Sequence, residues 1–572
     1  MEGTIPERPP LVAYFSMEIA VDPRVPTYSG GLGVLAGDFL RSAADREFPI
    51  IGLTLLHRRG YFHQELDELG NQREQPESWR VEEILELLPE TCGVTVEGRE
   101  VTLRAWKYTI VGQSGFEVPV YFLDSDVEGN DGFDRSLTGT LYGGDERYRL
   151  CQEQVLGAGG LRMVRALGHA ALPTFHINEG HGALVFPELV LEAAASSSSN
   201  PWEVLWGNAR CVFTTHTPIA AGHDAFPLDL AERVIGAERL HILQELGCSE
   251  DSLHLTLVAL QLCGYVNAVA KSHRSVTSAM FPEYAIDSIT NGVHSATWSA
   301  PPFRRLFDQF IPAWRRDSRT LRDARRIPGD AIWAAHLAAK HDLVAEVSAR
   351  TGVVLDPDAF TLAFARRATA YKRLDLVFCD LDRLLDIAER KGPLQIICGG
   401  KAHPQDGPGK DAIRRLVAAG TQLESRIKVV FLTNYEVELA QRVVAGGDVW
   451  LNTPVPPMEA SGTSGMKAAH NGVPSLSVLD GWWREGHEEG VTGWAIGDGT
   501  GSTVDVRDDA GDAEDLYRKL ESKIMPLFYG NRAAWSALMG NTISQNAARF
   551  NAHRMFLEYL TRAYREEETF RG

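Results

Sequence analysis

The stretch FTLAFARRATAYKR, residues 360–373, decides how this chain is read. Its first six residues form a short apolar run, the mark of a strand buried on both faces in a parallel sheet covered by helices. The run breaks into Arg366, Arg367, Lys372 and Arg373, four cations within eight residues. In open α/β sheets ligands sit beyond the carboxyl ends of the strands, so cations placed there can meet an anion. Arginine offers a planar fork to phosphate oxygens and lysine a point charge. A basic surface turn has the same composition, and the stretch alone does not choose between them.

Outward from there the pattern repeats. The runs LQIICGG (394–400), IKVVFL (427–432), DVWLNT (448–453) and PSLSVLD (474–480) follow, and LVAYF (11–15), FPIIGLTLL (48–56), FHIN (175–178) and CVFTTH (211–216) precede. Each leads into a glycine-rich or polar loop and then a segment of helical period, which predicts parallel sheets with crossover helices in both halves. At 572 residues and 44% hydrophobic content the chain has more apolar mass than one core needs. Between about 296 and 335 the rhythm is broken by Pro301, Pro302, Pro312, Pro328 and the basic run WRRDSRTLRDARR, read as a solvated helix face. The expectation is an α/β fold with a lobe over 1–300, a boundary segment over 301–335, a second α/β lobe over 336–530, and helices over 531–572 crossing back to the first lobe. ASSSSN (195–200) reads as a surface loop.

Acidic residues outnumber basic ones 76 to 57, a formal net charge of −19, which opposes non-specific binding to nucleic acid or an anionic membrane. An anionic substrate therefore needs locally concentrated cations. Cys92, Cys151, Cys211, Cys248, Cys263, Cys379 and Cys398 show no CxxC pair and no metal-ligand spacing, so reduced cytosolic thiols and no metal are expected. The opening MEGTIPERPPLVAYF has no basic then apolar leader pattern, and no run approaches 18 apolar residues. A cytoplasmic protein is expected.

Two further segments carry chemistry. YSGGLGVLAGD (28–38) is a glycine-dense turn running into a helix-period segment. Glycines let backbone N–H groups approach a phosphate closely, and a helix start adds partial positive charge. Its spacing is not that of the dinucleotide G-x-G-x-x-G, and a tight structural turn reads the same way. EASGTSGMK (459–467) follows the strand DVWLNT through a proline-rich turn. Its small and hydroxyl residues can cradle a phosphate, and Lys467, one turn into the helix, can form a Schiff base if its amine is deprotonated. A capped helix with an exposed lysine is the plain alternative.

The block EASGTSGMK with Asn471-Gly472 and Leu479-Asp480-Gly481 resembles the pyridoxal-phosphate segment of α-glucan phosphorylases. The other matches stand in family order: SGGLGVLAGDFL (29–40), INEGHGALVFPEL (177–189), VNAVAKSH (266–273), TNGV (290–293), RRATAYKR (366–373), GGKAHP (399–404) and NYEVELA (434–440). The resemblance spans roughly residues 11–481. It implies two Rossmann-like lobes facing a central cleft, of the glycosyltransferase-B type, and an enzyme that uses inorganic phosphate to release terminal glucose of an α-1,4-glucan or maltodextrin as glucose 1-phosphate, with retention.

The same resemblance implies that Lys467 holds pyridoxal 5'-phosphate as an imine, with Thr463, the backbone near Gly31, Arg366 and Tyr435 about that cofactor. Arg367 and Lys372 would bind the substrate phosphate over the loop of Gly30, Gly31 and Leu32. His181, Asn267, Glu459, Ser461 and Gly462 would hold the glucosyl hydroxyls. Read without the family, His181 is an interior histidine, Glu459 a helix cap and Asn267 a buried polar group. In the family the cofactor phosphate exchanges a proton with the substrate phosphate. No paired carboxylates of the glycosidase kind are identifiable.

Departures from the large animal-type members include Ser464-Gly465, Thr369-Ala370, Glu436 and Trp482-Trp483, features of the short bacterial and archaeal branch. They put allosteric control by nucleotides or phosphorylation in doubt. The tryptophans serve either as a sugar-stacking platform or as core. A homodimer follows by analogy with the family. Two other readings are a nucleotide-sugar glucosyltransferase of the glycogen-synthase kind, which shares GGLG loops and HTP segments, and a non-catalytic glucan-binding regulator.

Overall fold

The computed structural model describes residues 10–196, 210–245, 251–497 and 508–565. Cys248 and most of the ASSSSN segment lie outside them. The first half forms β1 (Val12–Ser16), β2 (Ile50–Leu55), the hairpin β3 (His63–Leu66) and β4 (Gln72–Gln75), β5 (Glu86–Val96), β6 (Arg99–Val111), β7 (Glu117–Asp124), β8 (Thr174–Asn178) and β9 (Arg210–Thr214). It continues with the pair β10 (Ala225–Pro227) and β11 (Ser252–His254), then β12 (Tyr265–Ala268) and β13 (Asp287–Ser288). The second half supplies β14 (Phe360–Ala365), β15 (Leu394–Gly399), β16 (Lys428–Leu432), β17 (Val449–Asn452), β18 (Ser475–Val478) and β19 (Gly493–Ile496).

Nine of these strands make one sheet in the order β13-β12-β9-β8-β1-β2-β7-β6-β5, parallel as far as β7 and antiparallel through β6 and β5. The last six make a wholly parallel sheet, β16-β15-β14-β17-β18-β19. Counted along the chain that order is 3-2-1-4-5-6, the Rossmann arrangement. The molecule is thus α/β, as the apolar runs predict, with two Rossmann-like sheets, as the family resemblance implies.

Alternation along the strands explains how each sheet is covered on both sides. Along β14, Phe360, Leu362 and Phe364 enter one core with Leu516, Trp535 and Leu538, whereas Ala363 and Ala365 meet Leu439, Val443 and Trp450 on the other face. Along β1, Ala13 and Phe15 share a core with Leu53 and Leu103, and Val12 and Tyr14 share another with Phe39 and Phe48. That second core is closed by the far end of the chain. Phe556 lies 5.1 Å from Phe39 and 5.5 Å from Phe48, ring centre to ring centre, and Tyr559 lies 5.2 Å from Phe39. Polar contacts fasten the same seam: Asp45 Oδ2 meets Nε2 of His294 at 2.9 Å and of His553 at 3.0 Å. Gly292 is needed there, because a Cβ on it would stand 2.2 Å from the Asn551 carbonyl oxygen.

Trp482 and Trp483 are buried and pack on each other, and Trp482 packs on Phe550, so they belong to the core and are no sugar platform. No helix among the described residues is long and apolar enough to cross a membrane.

Candidate active site

Each sheet has a place where neighbouring strands send their following loops apart, and ligand crevices form there. In the second sheet it lies between β14 and β17, whose exits carry Arg366 to Arg373 and Thr453 to Lys467. In the first it lies between β1 and β8, whose exits carry Glu18 with the glycine turn, and Glu179 with His181. The four exits line one cavity of about 570 Å³ between the sheets.

The glycines of the turn divide by role. A Cβ at Gly30 or Gly31 meets no atom within 4 Å, so these two keep the cleft floor bare. A Cβ at Gly33 would stand 2.7 Å from Tyr28 Cβ, and one at Gly37 2.1 Å from the Ala20 carbonyl oxygen, so those two serve close packing of the helix Gly31–Asp45. The turn is held by buried Glu18, whose carboxylate accepts from the amides of Ser29 (2.5 Å) and Gly30 (3.3 Å) and from the Tyr142 hydroxyl (3.1 Å).

The four cations after β14 have four different fates. Arg373 is buried and pins the next loop, donating to the carbonyls of Thr453 and Pro454, both at 2.9 Å, and to Asp512 at 2.6 Å. Arg366 is anchored on Asn452 and Thr453 with its Nε unpartnered, and burial pulls its pKa down to about 10. Lys372 is ion-paired with Glu459. Burial alone would lower the Lys372 pKa, but Glu459 outweighs it and the pKa is raised. Arg367 lines the cavity with no ion pair or hydrogen bond from its side chain to any described residue.

Lys467 projects from the short helix Thr463–Ala469 into the same cavity. Its Nζ stands 4.0 Å from the centre of the Trp298 ring and has no hydrogen-bond or ion-pair partner among the described residues. Burial depresses its pKa to about 8, which leaves a sizeable fraction of free amine near neutrality. Gly462 ahead of the helix adopts φ +81°, and buried Ser461 keeps a hydroxyl without a partner. The Glu459 amide donates to Asp480 at 2.8 Å, and burial followed by the charge of Glu459 raises the Asp480 pKa to about 7.

On the opposite wall His181 Nδ1 lies 3.2 Å from Glu153 and 3.1 Å from Asp224. Burial alone would lower its pKa, but the two carboxylates outweigh burial and lift it to about 10. Glu179 sits at φ 72°, ψ 163°, a region that is strained for any residue but glycine. Its carboxylate accepts from the His216 amide (2.7 Å) and the Thr217 hydroxyl (3.0 Å). Burial lowers the His216 pKa to about 4, so its ring is neutral.

The structure thus brings Gly30, Gly31, Leu32, His181, Arg366, Arg367, Lys372, Tyr435, Glu459, Ser461, Gly462, Thr463 and Lys467 to one cavity. Asn267 stands apart from them. Its Oδ1 accepts from Thr214 at 3.0 Å and its amide donates to the Tyr559 hydroxyl at 2.9 Å, inside a buried network that ties β12 to the C-terminal helix, and it does not line the cavity. Sequence reading missed Glu18, Glu153, Glu179, His216 and Asp224. Glu18 and Glu179 are legible in retrospect, as carboxylates at the carboxyl ends of β1 and β8.

A sequence model of the family described as carbohydrate phosphorylase matches residues 22–107 and 237–489. Over 97% of its length the chain is 38% identical to the maltodextrin phosphorylase of Thermococcus litoralis, covering 70% of that protein. It is 34% identical, also over 97% of its length, to the glycogen phosphorylases of Aquifex aeolicus and Mycobacterium tuberculosis, covering 86% and 70% of them. With more than half its residues matched by the family model and relatives of this identity along nearly its whole length, the chain belongs to the carbohydrate phosphorylase family of enzymes.

Proposed function

We propose that the protein phosphorolyses terminal α-1,4-linked glucose of a glucan or maltodextrin in the cytoplasm, giving α-D-glucose 1-phosphate with retention, and that Lys467 carries pyridoxal 5'-phosphate. The observation that carries this reading is a buried Lys467 amine in one cavity with the Arg367 guanidinium, neither having a hydrogen-bond or ion-pair partner among the described residues. The names of the relatives, maltodextrin and glycogen phosphorylase, supply the substrate class.

The cavity suits the cofactor. Lys467 is buried with its pKa lowered to about 8, and among the described residues its amine, the Arg366 Nε and the Ser461 hydroxyl have no hydrogen-bond partner and the space over Gly30 and Gly31 is open. Lys467 would hold the group, with Thr463, Arg366 and Tyr435 around it. When bound, it supplies a second phosphate, a proton donor and acceptor beside the substrate phosphate. Two adjacent phosphates repel, so the chain must offset their charge with cations and backbone dipoles in a cleft of low dielectric. Arg367 binds the substrate phosphate directly. Lys372 releases part of its hold on Glu459 to do the same, which frees that carboxylate for a glucosyl hydroxyl. Ser461 and Gly462 bind neighbouring hydroxyls. His181, an imidazolium fixed by Asp224 and Glu153, donates from its far side to the sugar. We read 1–300 and 336–530 as the two lobes, with the reacting bond between them.

The test is a pair of measurements on the purified protein. Borohydride reduction after loading with pyridoxal phosphate is expected to label Lys467, as read by peptide mapping. Maltodextrin with phosphate is expected to release glucose 1-phosphate. A label elsewhere, or glucose transfer from a nucleotide sugar in place of phosphorolysis, overturns the reading.

A further inference from the structure

A second cavity, of about 710 Å³, lies between the helix Lys271–Met280, the end of β13, the turn at Glu485 and the chain from Arg549 to Arg562. No described residue lines both it and the catalytic cleft. Five of its lining side chains are cationic and three are acidic, a local surplus of positive charge on a chain of net charge −19.

The acids are already engaged. Glu485 accepts from the Lys271 amide at 3.0 Å and the Thr290 hydroxyl at 2.9 Å, with Arg549 at 3.4 Å. Asp287 accepts from the Tyr265 hydroxyl at 2.9 Å and its neighbour's amide at 2.7 Å, and is paired with Arg562. Glu558 bridges Arg554 and Arg562, each at 3.1 Å. What remains uncommitted to other side chains is a set of largely exposed donors on one helix face. Arg274 has no ion pair or side-chain hydrogen bond to any described residue. Lys271 Nζ comes no nearer than 3.9 Å to Glu485, and the hydroxyls of Ser275 and Ser278 make no hydrogen bond there. At i, i+3, i+4 and i+7 these four stand along one side of the helix.

We propose that this groove is a second anion site, for a phosphate monoester on a hydroxyl-rich body, a sugar phosphate. Arg274, and Lys271 with only its loose 3.9 Å pairing to Glu485, can turn to a compact anion, and arginine and lysine donors meet phosphate oxygens in charge-assisted hydrogen bonds. The volume lies in the range of small-molecule sites and far exceeds inorganic phosphate. The rest of the described lining is hydroxyls and charged groups, with Phe550 the one aromatic residue among them, which favours a polyol over a flat base.

Fructose 6-phosphate, which carries no anomeric phosphate, is the probe, titrated calorimetrically into the full chain. Saturable binding is expected in the wild type and in Arg367→Ala, weakening as salt rises, with fructose alone giving none. Lys271→Ala/Arg274→Ala is expected to weaken binding at least tenfold. Ser275→Asp, which adds a carboxylate and removes no cation, is expected to do likewise should the double variant melt early. Absence of binding, equal binding of fructose, unchanged affinity in the groove variants, or loss only in Arg367→Ala each overturns the proposal. So does maltoheptaose affinity that falls in the groove variants while that for fructose 6-phosphate does not, which marks a glucan groove instead.

Discussion

Arg367 and Arg373 are six positions apart in one basic run, and their burial separates their roles. Arg373, with 2% of its side chain exposed, is fixed between Asp512 and two carbonyls, so Arg373→Ala strands a half-buried carboxylate. That substitution is expected to cost about 3 kcal/mol or more of stability, read from urea denaturation. Arg367 makes no such contacts, so Arg367→Ala is expected to leave the denaturation midpoint unchanged and to raise KM for phosphate by roughly ten- to a hundredfold, the worth of about 1.5–3 kcal/mol of charged hydrogen bonding. His181 gives a pH signature. Its pKa is raised from 6.5 to about 10 on folding, so the stability it contributes is complete below pH 6.5 and is lost as the pH climbs towards 10. The thermal midpoint of the wild type is expected to fall more steeply over that window than that of His181→Gln.

At the scale of elements, the helix Gly31–Asp45 serves two masters, and its glycines show which residue answers to which. Gly37→Ala forces a Cβ against the Ala20 carbonyl oxygen and is expected to cost about 1–3 kcal/mol, seen as a lower thermal midpoint. Gly30→Ala meets open space, and its φ of −172° is extended backbone that alanine adopts. It is expected to keep the midpoint and to weaken phosphate binding, because the added methyl enters the cleft. Every apolar run that predicted a strand became one, since a strand buried on both faces advertises itself as continuous hydrophobicity. The antiparallel arm β5 to β7 was not predicted. β5 alternates exposed and part-buried residues along much of its length, with no continuous apolar run to find.

For the whole molecule, the decisive contact joins the two ends of the chain. Phe39 and Phe48 near the start bury their rings against Phe556 and Tyr559 near the end. Phe556→Ala is expected to cost about 3–5 kcal/mol, read from denaturant melts, because the cavity opens in the core under the glycine turn. The sequence by itself determined the α/β class with parallel sheets, because periodicity and strand-end loops are local properties; the Rossmann-like lobes and the gathering of Gly31, Arg367, Glu459 and Lys467 were expected through the resemblance to the family. Only the tertiary structure decided that Asn267 turns into a buried network, that Trp482 and Trp483 are core, and that His181 stands between Glu153 and Asp224. The charge and reach of such side chains depend on partners tens to hundreds of residues away, and no local pattern encodes which of them will arrive.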